Sequence, residues 1–235
     1  MEPIIGFIPC RKGSERVKNK NTRPFASFQN GLLELKLLQM AKVSGIEKII
    51  VSSNDDKVLE IVHKMRKLDS RLTPMERPEE YGNSATSMES FTQYIAELEP
   101  EGSIFWTHVT HPFLSSDYYS EIIQKYLKIR EMGYDSLVTV TQIQKFIWSN
   151  EGPYNYDNTI EKWPRSQDLV PLFEINHGVY MLPFAKMRDV GDRIGNKPYL
   201  YNLPESAAQD IDWEEQFNIL EDIAKAKLNR GSNLL

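Results

Sequence analysis

Apolar runs and apolar stripes alternate along this chain. Ile4–Pro9, reading IIGFIP, is a short apolar run followed by turn-forming and basic residues, which predicts a buried strand. Leu33, Leu37, Leu38 and Ala41 then share one face of a predicted helix over Leu32–Ser44, with Gly45 where a helix C-terminal glycine belongs. Ile49–Ser52 predicts a second strand, and Val58, Ile61, Val62 and Met65 the apolar stripe of a second helix. Thr86 stands three residues before Glu89, the spacing of a capping box, and opens a helix carrying Phe91, Ile95 and Leu98. A strand over Ser103–His108, a helix over Asp117–Met132 and a strand over Ser136–Val140 continue the alternation.

From Gln142 to Phe173 the alternation fails. Trp148, Tyr154, Tyr156, Trp163, Pro164 and Pro171 are scattered among polar residues there. Such a stretch reads as an inserted β-rich arm, a dimer contact or lid, or as a surface excursion. Beyond it come a strand through HGVYML, a short helix near Phe184–Arg188, a YLYNL strand and a terminal helix over Trp213–Lys227. That helix turns Phe217, Leu220 and Ala224 inward, and the final NRGSNLL reads as a loose tail. Strands alternating with helices predict an α/β fold of three layers around a mainly parallel sheet with Rossmann-like nucleotide-binding topology. The nucleotide-binding domain takes 1–141 and 174–235, and the small arm takes 142–173. Sheets of this kind bind ligands beyond the carboxyl ends of their strands, often in the first loop from strand to helix.

That loop changes the picture. Arg11, Lys12, Arg16, Lys18, Lys20 and Arg23 stand against Glu15 alone, in a chain of 235 residues whose net charge is −5. A nucleic-acid binder is more often basic throughout, so one basic loop points to a small anion. Glycine and serine let backbone N–H groups approach that anion, and arginine and lysine offset its charge, as a triphosphate requires. Neither GxxxxGK[ST] nor GxGxxG is present, and a solvated lysine-rich loop is the plainer alternative. No run approaches the ~18 apolar residues that span a membrane, and PIIGFIP lacks the flanks of an export signal. The single cysteine, Cys10, forms no internal disulfide and fits a reducing, cytoplasmic setting; it reads as a packed residue rather than a nucleophile.

Near the other end stands Asp210-Ile211-Asp212. In an extended segment the two carboxylates point to the same side, and Mg²⁺ commonly takes one or two carboxylates together with substrate phosphates. Asp212 with Glu215 also fits an N-terminal capping pair for the last helix. No Cys/His spacing supports zinc, and His111 and His177 read as core or supporting residues. Trp148 and Trp163 read as packing or dimer contacts.

The order of residues in the basic loop is informative. Arg11-Lys12-Gly13-Ser14-Glu15-Arg16-Val17-Lys18-Asn19-Lys20-Asn21 resembles the nucleotide-binding loop of the acylneuraminate (CMP-sialic acid) synthetase family, approximately R-x-G-S-K-x-[IL]-x-x-K-N. Arg11, Gly13, Ser14, Lys20 and Asn21 match, and Glu15 replaces a common lysine. Similar in order are Ser52-Ser53-Asn54-Asp55, Arg77-Pro78 with Asn83 to Ser87, Thr107 to Phe113, Pro164-Arg165-Ser166-Gln167-Asp168, Asn176 to Tyr180 and Asp210-Ile211-Asp212.

The resemblance implies an enzyme, a homodimeric Mg²⁺-dependent cytidylyltransferase that joins CMP from CTP to the anomeric hydroxyl of a 2-keto-3-deoxy sugar acid and releases pyrophosphate. It gives nucleotide binding to Arg11, Gly13, Ser14, Lys20, Asn21, Arg77, Ser84, Thr86 and Ser87, with Asn21 reading the cytosine edge. Catalysis falls to Asp210, Asp212, Lys20 and Arg11, with the metal on Asp210 and Asp212. Sugar binding falls to His108, Arg165, Gln167, Tyr180 and Lys145, Arg165 reaching across from a neighbouring subunit's arm; His108 stands where a glutamine is usual. Lys20-Asn21 favours a nonulosonic, sialic-acid-like substrate over the shorter Kdo. A glycosyltransferase-like nucleotide-sugar binder would carry its D-x-D after a middle strand, whereas here it comes late. A catalytically silent homologue is the remaining alternative. No nucleic-acid or membrane partner is expected.

Overall fold

The computed structural model describes residues 2–83 and 85–235. Its first strand, β1 (Ile4–Pro9), lies in the middle of a seven-stranded sheet, with parallel neighbours on both sides. These are β2 (Lys48–Ser53) and β4 (Ser103–Thr107). A strand covered on both faces has no polar side to present, which is why IIGFIP runs apolar without alternation. Ile4 and Ile8 point into one core cluster, and Ile5 and Phe7 into the other, as the period of two requires.

Helices α1 (Gly31–Ala41), α2 (Asp56–Met65) and α4 (Ser116–Glu131) pack on the first face together with α6 (Glu214–Asn229). The opposite face is covered by α3 (Met88–Ala96) and α5 (Phe184–Val190). The remaining strands are β3 (Leu72–Glu76), β5 (Ser136–Ile143), β8 (Leu172–Pro183) and β9 (Pro198–Asn202), in the order β3-β2-β1-β4-β8-β5-β9. The short β6 (Trp148–Ser149) and β7 (Gly152–Pro153) form a separate hairpin. This is the expected three-layer α/β fold with a mainly parallel sheet. Among the described residues no helix is long and apolar enough to cross a membrane.

β8 is antiparallel to both β4 and β5. The chain leaves the sheet along β5, makes its excursion, and returns beside the strand it left, which needs no crossover helix. The ladder between β5 and β8 reaches Gln142 opposite Phe173 and Ile143 opposite Leu172, so the main sheet extends into the segment set apart as an arm. Between Val138 and Val140 the pairing slips, and His177 takes a left-handed φ of 58° within the extra length of β8. Asn176 Oδ1 fills the gap by accepting from the Thr139 hydroxyl at 2.7 Å and from the Gly178 N–H at 3.1 Å.

Two local expectations are corrected. The helix expected to open at Thr86 starts one residue later: Ser87 Oγ accepts from the Ser90 N–H at 3.1 Å, and Thr86 instead donates to the Glu80 carbonyl. The tail is not loose throughout, because Leu234 is buried and its carbonyl accepts from Gln39 Nε2 at 2.7 Å.

Candidate active site

The loop after β1 is held in shape by its neighbours. Cys10 N–H donates to the Ser52 carbonyl, and the Ser53 hydroxyl donates back to the Cys10 carbonyl, joining the ends of β1 and β2. Burial pushes the Cys10 thiol up to about 12, so it stays protonated and is no nucleophile. Asn54 accepts from the Lys12 N–H at 2.9 Å and donates to the Gly82 carbonyl, tying the basic loop to the loop before α3. Gly13 turns the chain with a φ of 75°.

The far side of the loop is clasped by α6. Phe25 meets Phe217 edge to face, and the Arg23 guanidinium lies 3.9 Å over the Phe217 ring while donating to Glu214 Oε1 at 2.7 Å. The Ala26 N–H donates to Glu221 Oε1. Through this clasp the segment before α6 comes to the basic loop. Lys20 Nζ donates to the Ile211 carbonyl at 2.8 Å and lies 3.5 Å from Asp212 Oδ1, and Arg16 Nη2 donates to that same oxygen at 3.0 Å.

The cap of α6 is not the Asp212–Glu215 pair. Gln216 Oε1 accepts from the N–H groups of both Asp212 and Trp213, at 2.7 and 2.9 Å. The Asp212 carboxylate is thereby left facing cations. Asp210 Oδ1 is buried with no hydrogen-bond partner, 3.8 Å from Nδ1 of the fully buried His111. His111 Nε2 reaches the Asn176 carbonyl at 2.7 Å, which leaves Nδ1 of the neutral ring as an acceptor facing the acid.

Two adjoining cavities open at the end of β1. The first, about 360 Å³, is lined by Arg11, Ser14, Glu15, Arg16, Lys20 and Asn21 on one side and by His108 on the other. The second, about 330 Å³, shares Arg11 and His108 and runs past Arg77, Tyr81, Asn83, Thr86 and Phe91 to Trp106 and Arg193. Arg77 is buried, lies 4.5 Å over the Phe91 ring and donates to the Ser52 carbonyl at 2.8 Å; burial lowers its guanidinium to about 10, which still leaves it charged. Asp210 and Asp212 line a third cavity on the other side of the Arg16–Asp212 contact, together with His177.

The expected site residues therefore divide. Ser14, Lys20 and Asn21 converge on one cavity, Arg77 and Thr86 on its neighbour, and Arg11 and His108 on both. Asn21 donates to the Arg11 carbonyl at 3.3 Å, on the basic side rather than beside Arg77. Ser87 is occupied as a helix cap, and Ser84 lies outside the described residues. Tyr180 is fully buried behind the cavity wall, its hydroxyl 2.5 Å from His177 Nδ1. Lys145, Arg165 and Gln167 line neither cavity; Arg165 is exposed and paired with Asp168. Sequence reasoning missed Trp106, which falls inside the strand expected over Ser103–His108, and Arg193, a lone arginine in the turn between α5 and β9. Nothing in a single sequence distinguishes such an arginine from any exposed one.

The sequence matches the model of a protein family described as cytidylyltransferase over residues 5–173. It is similar to N-acylneuraminate cytidylyltransferase B of Danio rerio, with 25% identity over 225 residues, 92% of this chain and 50% of that protein. It is also similar to N-acylneuraminate cytidylyltransferase of Streptococcus agalactiae serotype III (strain NEM316), with 23% identity over 224 residues, 92% of this chain and 52% of that protein. The chain thus spans about half the length of the curated relatives it matches. Among solved structures it is similar to 4-diphosphocytidyl-2C-methyl-D-erythritol synthase from Anaerococcus prevotii DSM 20548, with a TM-score of 0.66, 15% identity and 97% of each chain covered. A CMP:2-keto-3-deoxy-manno-octonic acid synthetase complexed with CTP is similar at a TM-score of 0.65 and 11% identity, covering 96% of this chain and 99% of that one. At these identities the structural likeness speaks to the fold.

Proposed function

The chain belongs to the cytidylyltransferase family, and from that premise we propose that it transfers CMP from CTP to a nonulosonic, sialic-acid-like sugar acid. The observation that carries the proposal is the meeting of Arg16 and Lys20 with Asp212, across 196 and 191 residues of sequence to the Ile211–Asp212 segment, beside a cavity lined by Arg11 and Ser14. In this reading the triphosphate lies in the basic cavity, where Arg11, Arg16 and Lys20 offset its charge. The nucleoside extends past Arg77 toward Asn83 and Thr86. The anomeric hydroxyl oxygen attacks the α-phosphorus, the bond to the bridging oxygen breaks, pyrophosphate leaves and the hydroxyl proton passes to solvent. Positioning and charge carry such a step, so little acid–base machinery is needed.

In this reading Asp210 and Asp212 would hold a magnesium ion. A carboxylate oxygen buried without a partner, as at Asp210 Oδ1, is costly unless a cation or donor meets it. Among the described residues no group of three or more His, Cys, Asp or Glu could hold a metal. Two carboxylates with phosphate oxygens completing the set is the usual arrangement for this ion. When bound, Mg²⁺ would offset charge on the phosphates and lower the pKa of the attacking hydroxyl.

The proposal includes a homodimer built through the arm. Its support is the concentration of exposed apolar side chains there, among them Phe146, Trp148, Tyr154, Ile160 and Trp163. Arg165 would then serve a neighbouring subunit's site.

Purified protein with Mg²⁺ and each nucleoside triphosphate in turn tests the reading. Pyrophosphate is expected with CTP and N-acetylneuraminate or a related nonulosonate. Release with 2-keto-3-deoxy-manno-octonate alone would transfer the assignment to that shorter acid, and no CTP-dependent release with any sugar acid would end it.

A further inference from the structure

The second cavity is walled by two groups that lack hydrogen-bond partners and by an arginine that lacks an ion pair among the described residues. Trp106 is fully buried on β4, yet its indole N–H finds no acceptor. His108, two residues on, has Nε2 buried and unpartnered. Arg193 completes the wall, its guanidinium 4.3 Å over the Tyr180 ring and 5.6 Å from the Trp106 ring. It forms no ion pair among the described residues, and its side chain's polar contact is His177 Nδ1 at 3.5 Å.

A buried indole N–H without an acceptor is rare in folded proteins, where polar groups are nearly always satisfied. Indole and guanidinium only donate, so a ligand here must accept. Burial, followed by the charges of nearby groups including Arg193, holds His108 well below the usual histidine range, and its neutral ring adds a hydrogen-bonding group without a second positive charge. The Arg193 guanidinium, held 4.3 Å over the Tyr180 ring, carries a fork of N–H donors that suits a planar, bidentate acceptor. Phosphates already have Arg11, Arg16 and Lys20 in the adjoining cavity. Arg11 and His108 belong to both cavities, so the two ligand groups would sit side by side.

We infer that Arg193, with the Trp106 N–H and His108, binds the carboxylate of the sugar acid within the same subunit. The inference rests on the proposed function for the identity of the acid, and it places the carboxylate contact on Arg193 rather than on Arg165, the sugar-binding arginine that the resemblance implied for a neighbouring arm. No residue of the arm lines this end of the cavity.

The test compares acids with their methyl esters, which keep the shape and lose the charge. Isothermal titration would use N-acetylneuraminate, 2-keto-3-deoxy-manno-octonate and both esters, against the wild type, Arg193→Gln and Arg193→Lys, with chemical denaturation confirming that each is folded. The wild type is expected to bind its preferred acid about 10- to 100-fold more tightly than the ester, the range of a charge-assisted contact. Arg193→Gln should bring that ratio close to one, Arg193→Lys should fall between, and CTP affinity should stay unchanged. A ratio that survives in Arg193→Gln, a wild type that binds neither acid or does not distinguish acid from ester, or a parallel loss of CTP affinity overturns the inference. If the acid preference depends on Arg193 while no pyrophosphate forms from CTP, the carboxylate site stands and the proposed reaction falls.

Discussion

Arg16 Nη2 and Asp212 Oδ1 lie 3.0 Å apart, although 196 positions separate the two residues in sequence. Both side chains are nearly half exposed, so an ion pair of this kind contributes only about 0–1 kcal/mol to stability. The contact is better understood as alignment: it sets an acid beside the basic cavity at the end of β1. If the proposed reaction holds, Asp212→Asn is expected to leave the urea midpoint almost unchanged while turnover with CTP falls on the order of 100-fold, the range for loss of one electrostatic group at a reacting centre. Unaltered pyrophosphate release from a folded variant would show that the carboxylate has no part in the reaction.

Gly31 shows how tightly the return from the basic loop is built. Its φ is +67°, and a Cβ there would stand 2.0 Å from the Arg23 carbonyl oxygen, which is backbone and cannot move aside alone. Gly13, in the same loop with φ +75°, would meet nothing within 4 Å. Gly13→Ala should therefore carry conformational strain alone, about 1–2 kcal/mol. Gly31→Ala adds a clash and should exceed it clearly, or fail to fold. Denaturant midpoints for the two variants check the order, and equal losses would show that the clash relaxes freely.

The sheet and the placing of the basic loop were legible because each depends on local pattern, and the family was legible in the order of residues in that loop. IIGFIP is apolar throughout because both faces of β1 are covered, and the glycine and cations after it mark the turn that lines the basic cavity. Reversal of β8 was not legible, since an apolar strand reads alike in either direction. The cap on α6 went to Gln216 rather than Glu215, a choice between adjacent side chains that depends on how the preceding loop is pulled onto Lys20. Arg193 was invisible for a related reason: its meaning comes from Tyr180 and Trp106, brought beneath it by two different strands.

Leu234 is buried beside α1, and Gln39 Nε2 bonds both the Leu234 and Pro112 carbonyls. The last residues thus support the segment that leads from His111 into α4. Leu234→Ala is expected to destabilise the protein by about 2–4 kcal/mol, the usual loss for a truncated core leucine. A loss of unfolding free energy below about 0.5 kcal/mol in urea titration, within the ordinary range for surface changes, would return the tail to the solvent.

The histidine at the junction of the two cavities gives the protein a dependence on pH. Burial holds His108 in the folded state well below the usual value, whereas in the unfolded chain it titrates near 6.5. Above about 6.5 the ring is neutral in both states and its full contribution to stability is present. As pH falls below that value the unfolded chain takes up a proton that the folded protein refuses, so unfolding becomes easier, by at most about 1.4 kcal/mol per pH unit for one such group. The loss continues until pH reaches the depressed folded value. Urea midpoints at pH 7.5, 6.5 and 5.5 should therefore fall more steeply for the wild type than for His108→Gln, which has no proton to exchange. The comparison is confined to this range because carboxylates begin to titrate at lower pH. Parallel curves for the two proteins would mean that His108 protonates freely in the folded state, and that the wall it shares with Trp106 and Arg193 is open to water.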